Sequence, residues 1–378
     1  MVDVMSRLLR RSLPAILLVS LFLPSFAFAM SHLIYFGTYT RNPSTSQGIY
    51  SARLDDDTGA LTTPVLAATG ANPAWIVFSP DKKFLYTLHP SKAQAIGFKV
   101  DAAAGKLVPL PVPAAAEVAP PSHLAVDASG RMLLSANYAD GYLGVMAIKP
   151  DGTLGEPGLI PHSGKSVHPR QDKPHVHSIT ISPDNRFAIV CDLGLDKIFT
   201  YAIDPATVKV SPANPPFVAT EPGQGPRHFK FAADGRHAFA INEIASTITA
   251  YDYDPARGAL TARQTVSTLP PGFTGASTTA EVRVHPNGKF IYGSNRGHDS
   301  IAVFGTDASG RLTPVEIVPS GGKVPRNFAL SPNGKWLVCA HQDSNNVTVF
   351  RVDPTTGRLT QTEHTATVPM SVCVLFYD

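Results

Sequence analysis

The chain has 378 residues, 43% of them hydrophobic and 16% charged, which suits a folded globular protein with a sizeable core. Its net charge of +3 argues against a polyanion binder, so no nucleic-acid partner is expected. Proline (34) and glycine (29) are spread evenly and read as turn punctuation rather than as a disordered linker.

Residues 1–29 have the layout of a signal peptide. Arg7, Arg10 and Arg11 precede an apolar run from about Ala15 to Phe28, and Ala27-Phe28-Ala29 is an A-x-A cleavage site. Cleavage after Ala29 removes three arginines and one aspartate, which lowers the net charge from +3 to +1. The run is short for a membrane span, and no later stretch approaches 18 uninterrupted apolar residues. A periplasmic or secreted protein, free of the membrane after cleavage, is expected. The alternative is a cytoplasmic protein that starts at Met30.

From residue 31 onward one hairpin recurs. "HLIYFGTYT" matches its second strand, and third- and fourth-strand sequence follows to about Val65. Complete copies begin at Ala74, Ser122, His177, Arg227, Ala280 and Arg326, 46 to 55 residues apart, a period that indicates a propeller or solenoid. In each copy the third residue (Ile76, Leu124, Ile179, Phe229, Val282, Phe328) and the fifth (Phe78, Val126, Ile181, Phe231, Val284, Leu330) are large and apolar. That alternation is one buried face of a β-strand. A third strand such as "NVTVFRVD", a turn such as "DPTTGRL" and a fourth strand complete each unit.

The chain ends on "PMSVCVLFYD", which matches a first strand and then stops. The two chain ends therefore build a seventh unit between them. An all-β, seven-bladed propeller over residues 31–378 is expected, with four antiparallel strands per blade and a ring closed by both termini. Cys191, Cys339 and Cys373 lie in apolar strands without C-x-x-C spacing, and buried free thiols are expected.

Polar residues concentrate at two equivalent positions. The loop entering the first strand carries Ala74, Ser122, His177, Arg227, Ala280, Arg326 and, in the closing blade, Met370. The turn after the second strand carries Pro90, Tyr138, Leu193, Glu243, Arg296, Gln342 and Tyr39. Both lie on one face of a propeller, so Arg227 and Glu243 at the two ends of one hairpin should meet at the channel mouth with His177, Arg296 and Arg326. His175 and His298 flank the same loops, Arg283 lies one strand step lower, and "HSGKSVHPRQDKPHVHS" brings His162, His168 and Arg170 towards that face. The three arginines oppose a divalent cation, and the His175/His177 pair lacks converging carboxylates, so neither metal nor cofactor is expected.

"PHVHSITISPDNRFAIVCDLGLDKI", "GPRHFKFAADGRHAFAINE", "AEVRVHPNGKFIYGSNRGHDSIAVF" and "PRNFALSPNGKWLVCAHQDSNNVTVF" resemble the seven-bladed propeller lactonases in order and spacing. That family includes the bacterial propeller-type 6-phosphogluconolactonase and is related to the fungal carboxymuconate-lactonising enzyme. The resemblance implies metal-independent lactone chemistry, with His177, Arg227, Glu243 and Arg296 at the channel mouth. The leading expectation is hydrolysis of an anionic sugar lactone by a monomer. Glu243 is the expected base and His177 the proton donor, an assignment open to exchange. Arg227 and Arg296 face the oxyanion or an anionic substituent, while Arg326, His175, His298 and Arg283 bind substrate. The alternatives are lactonisation of an unsaturated dicarboxylate, or a non-enzymatic periplasmic binding propeller.

Overall fold

The computed structural model describes residues 31–88, 95–112 and 121–377. The expected signal peptide and the rim position Pro90 lie outside the described residues. Seven four-stranded antiparallel sheets follow one another along the chain. Blade 1 is the shared one. Its strands run in the order Ser371–Phe376, Ser31–Thr38, Gly48–Asp55 and Val65–Thr69, so the C-terminus supplies the innermost strand and the N-terminus the other three. Ile34 pairs with Phe376, and Phe36 with Val374. Blades 2 to 7 then take the six hairpin copies in order. The innermost strands of neighbouring blades touch all the way round, which closes the ring.

Local sequence explains the hairpins. In "SPDN" and "SPNG" turns the serine hydroxyl donates to the acid or amide two residues on and accepts from the first amide of the next strand. Ser182 Oγ donates to Asp184 at 2.6 Å and accepts from Phe187 N at 2.9 Å. Ser331 repeats this with Asn333 and Trp336 at 2.7 and 3.0 Å. The fourth turn residue is left-handed in every copy, for instance Gly334 at φ 74° and Asn185 at φ 58°, which favours glycine or asparagine there.

The core lies between blades. All six third-position residues are buried, with Val282 and Phe328 fully so. The fifth-position residues, expected on the same buried face, are only half-buried, because they end the innermost strand near the far mouth of the channel.

One irregularity positions the site. The innermost strand carries a β-bulge near its start in five blades, adding one residue: His177 in blade 4, Arg227 in blade 5, Arg326 in blade 7 and Val372 in blade 1, with the Ala280–Glu281 pair bulged in blade 6. In a regular strand, His177, Arg227 and Arg326 would share the face that buries Ile179, Phe229 and Phe328. The bulge turns them away from the blade core. The register also corrects the alignment of blade 1, where Val372 and not Met370 is the equivalent of Arg227.

Candidate active site

The two ends of the blade 5 hairpin meet. Arg227 Nε donates to Glu243 Oε2 at 2.9 Å, and Arg296 Nη2 lies 2.9 Å from the same oxygen. Arg170 Nη2 donates to the other oxygen, Oε1, and His177 Nε2 stands 3.8 Å from Oε2. One carboxylate is thus enclosed by three guanidinium groups. The centre of the cluster is not a solvated rim: Arg227 is 2% and Glu243 4% exposed.

The charge balance fixes what Glu243 can do. Burial pushes its carboxyl up, but Arg296, Arg227 and Arg170 outweigh that and hold it well below the usual carboxylate range. Glu243 is therefore an anion at neutral pH. Burial, reinforced by Arg227, also holds His177 well below the ordinary imidazole range, so its ring is neutral. Arg227 is further fixed by donating from Nη1 to Ala280 O and to His228 Nε2, the latter at 3.0 Å.

A cavity of about 230 Å³ opens beside this cluster, with Tyr39, Trp75, His177, Arg227, His228 and Arg326 in its wall. Tyr39 Oη accepts a hydrogen bond from Arg326 Nη2 at 3.1 Å, and the Arg41 guanidinium stacks on the Tyr39 ring at 4.1 Å. Arg326, helped by Arg41, lowers the pKa of the Tyr39 phenol against the opposing effect of burial.

Of the expected site residues, His177, Arg227, Glu243, Arg296 and Arg326 are gathered as the alignment anticipated. Three flanking candidates are not brought to the cavity. His175 stacks on Tyr138 with its Nδ1 2.7 Å from the Tyr138 carbonyl oxygen. His298 is bound to Ser300 Oγ at 2.7 Å and packs edge-on against Phe273. Arg283 donates to Phe328 O and lies 3.4 Å from Glu281, a layer below. In the long loop, His162 bridges Asp192 and Tyr201, His168 caps a 3₁₀ turn at Pro169–Gln171, and only Arg170 reaches the cluster.

A second layer was missed. The residue after each bulge position, or after the equivalent position in blades 2 and 3, gives Trp75, His123, Ser178, His228, Glu281, Asn327 and Cys373 around the ring. Trp75 stacks on His123 with centroids 4.0 Å apart, and His123 meets His228 at 5.4 Å. Reading the repeat one column further would have found two histidines, an acid and an amide at this equivalent position.

Fold and site define a closed seven-bladed propeller with an arginine-rich, histidine-lined axial pocket. Residues 33–376 match the family described as "Lactonase, 7-bladed beta-propeller", and the chain belongs to that family. It is 35% identical over 346 residues to a 6-phosphogluconolactonase of Bacillus subtilis, covering 90% of this chain and 97% of that protein. Among solved structures it is similar to a protein from Lactobacillus plantarum (TM-score 0.86, 35% identity, 92% and 99% of the two chains). It is also similar to a periplasmic gluconolactonase from Pseudomonas aeruginosa (TM-score 0.85, 32% identity, 92% and 99%).

Proposed function

We propose that this protein hydrolyses a sugar lactone of the 6-phosphogluconolactone type, without a metal. The observation that carries this reading is the convergence of Arg227, Arg326, His177 and His228 on one enclosed cavity. The names of the relatives, a 6-phosphogluconolactonase and a gluconolactonase, support the substrate class. A lactone is an ester closed on itself. Opening it needs a water that loses a proton, a positive field where the oxyanion forms, and a proton for the ring oxygen that leaves. Arg227 supplies the field, at a site where burial strengthens it. Glu243, itself fixed by Arg296 and Arg170, holds Arg227 in place, and His177 hydrogen-bonds the leaving ring oxygen. Glu243 suits this orienting role better than the base role expected from the sequence, because it bonds three guanidinium groups and stands behind the cavity wall.

The test is direct. Base consumption at constant pH should show glucono-1,5-lactone and its 6-phosphate opening faster with the protein than spontaneously. A rate equal to the spontaneous one for both compounds sinks the reading.

We place the protein outside the cytoplasm, on the signal-like residues 1–29. A periplasmic protein among the similar structures is consistent with this. N-terminal sequencing of the exported form should begin at Met30. Active protein confined to the cytoplasm would overturn it.

A further inference from the structure

Glu243 is tied to three guanidinium groups and is not part of the cavity wall, so the lactonase reading lacks a base for the attacking water. The geometry points to His228, oriented by Glu281, as the catalytic residue that takes this proton. The assignment rests on the lactonase reading and goes beyond it by naming a pair of residues outside the Glu243 cluster.

Hydrogen-bond direction fixes the protonation pattern of His228. Arg227 Nη1 lies 3.0 Å from His228 Nε2, and a guanidinium has only donors. Nε2 must therefore offer a lone pair. His228 Nδ1 lies 3.1 Å from Glu281 Oε2, where it donates its proton. The two neighbours select one tautomer between them, with the proton on Nδ1 and the lone pair on Nε2. A neutral imidazole arranged this way, with a carboxylate behind it, is the arrangement that general-base histidines use. His177 has no such support: its Nδ1 is buried with no hydrogen-bond partner among the described residues.

Glu281 is built to stay behind the ring. It is fully buried, and Asn327 Nδ2 donates to the same Oε2 at 2.5 Å, while Arg283 Nε lies 3.4 Å from Oε1. His228 is 3% exposed yet forms part of the cavity wall. The charged groups around it are Arg227, Lys230, Arg283, Arg326 and Glu281, and the rings of His123 and His177 stand 5.4 and 5.3 Å away.

The step balances. Water takes the place of Arg227 Nη1 at His228 Nε2, and Arg227 keeps its Nε bond to Glu243. As the water oxygen bonds to the lactone carbonyl carbon, one O–H bond breaks and its proton moves to Nε2. The carbonyl π pair moves onto oxygen, opposite Arg227, and Glu281 stabilises the imidazolium. Collapse breaks the bond between carbonyl carbon and ring oxygen. The ring oxygen leaves with that electron pair and takes the proton from Nε2, which restores neutral His228.

His228→Gln separates catalysis from architecture, because a glutamine amide oxygen still accepts from Arg227 but does not carry a proton through the reaction. With glucono-1,5-lactone and its 6-phosphate, kcat should fall by about 10²–10⁴-fold while KM stays within about threefold. Imidazole added to His228→Ala should restore its rate by about tenfold or more, an effect that a purely structural role does not give. A kcat for His228→Gln within about threefold of wild type overturns the assignment. Should that variant fail to fold, Glu281→Gln decides: a kcat loss of about tenfold or more supports the pair, and an unchanged kcat overturns it. If the wild-type protein opens no lactone, the broader reading and this one fall together. If the wild type is active and His228→Gln equals it, only the His228 assignment falls.

Discussion

Arg227 and Glu243 stand at opposite ends of one hairpin, 16 residues apart, yet Arg227 Nε lies 2.9 Å from Glu243 Oε2 with both side chains almost fully buried. The bulge at Arg227 makes this contact by lifting the side chain out of the strand's regular alternation. It ties the start of the first strand to the end of the second, at the level where the cavity begins. Glu243 is therefore part of the fold's electrostatic framework as well as of the site.

Replacing Glu243 by glutamine removes the anion that three guanidinium groups share. An uncompensated buried charge of this kind costs on the order of 3–5 kcal/mol, so the melting temperature should drop by many degrees. Activity should fall too, by about 10²-fold, because Arg227 and Arg296 lose the group that places them. Thermal melts and lactone kinetics on the same sample separate the roles. A variant with wild-type melting and an abolished kcat would return Glu243 to the position of general base.

Acid should destabilise the protein before its carboxylates titrate. His123, His177 and His228 are buried, and burial holds each well below the ordinary imidazole range, with Arg227 adding to the effect at His177 and His228. Their folded pKa values are depressed, so the unfolded chain binds more protons below its own value near 6.5. The stability tied to their neutral forms is complete above about pH 6.5 and is lost as pH falls below it, at about 1.4 kcal/mol per pH unit for each ring. Glu243, also depressed, adds a further loss below about pH 4.5. Denaturant midpoints should therefore fall steeply between about pH 6.5 and 4.5. A flat profile over that range would show that the buried rings are protonated in the folded state.

Removing residues 369–378 should open the ring. Val372, Cys373 and Val374 are at most 3% exposed, and their strand is the innermost one of blade 1, paired to Ser31–Thr38. Without it, one edge of that strand and the flank of blade 7 are bare. The truncated protein should aggregate or lose cooperative melting. A soluble, cooperatively folding product would mean that closure by both termini is dispensable.

The blades were legible because their causes are local. "SPDN" and "SPNG" turns recur with the same serine hydrogen bonds, and the third-position residues repeat one buried face. Ring closure followed from matching "HLIYFGTYT" and "PMSVCVLFYD" to parts of that repeat. The bulges were not legible, since an extra residue leaves no mark in a period-2 pattern until the partner strand is known. That is why Met370 took the place of Val372 in the aligned column. His175 and His298 illustrate a different limit: their loops are right, but Tyr138 and Ser300 hold the rings away from the cavity. His228 and Glu281 were hidden one column along, behind the more conspicuous arginines.

The far wall of the cavity carries an arginine in a different setting. Arg227, Arg296 and Arg170 share Glu243, whereas Arg326 has a phenol, Tyr39, as its hydrogen-bond partner and no acid within ion-pair distance among the described residues. A guanidinium left without a carboxylate is free to meet an anion brought by the substrate, and a phosphate monoester offers the charge and geometry it fits. Arg326→Ala should raise KM for the 6-phosphorylated lactone by about tenfold or more and change KM for the neutral lactone by less than about threefold. The kcat values for both substrates should change little, since the contact is made equally in ground and transition states. Equal losses with the two substrates would mean that Arg326 acts on the reacting carbonyl, and the anionic substituent would then need another partner.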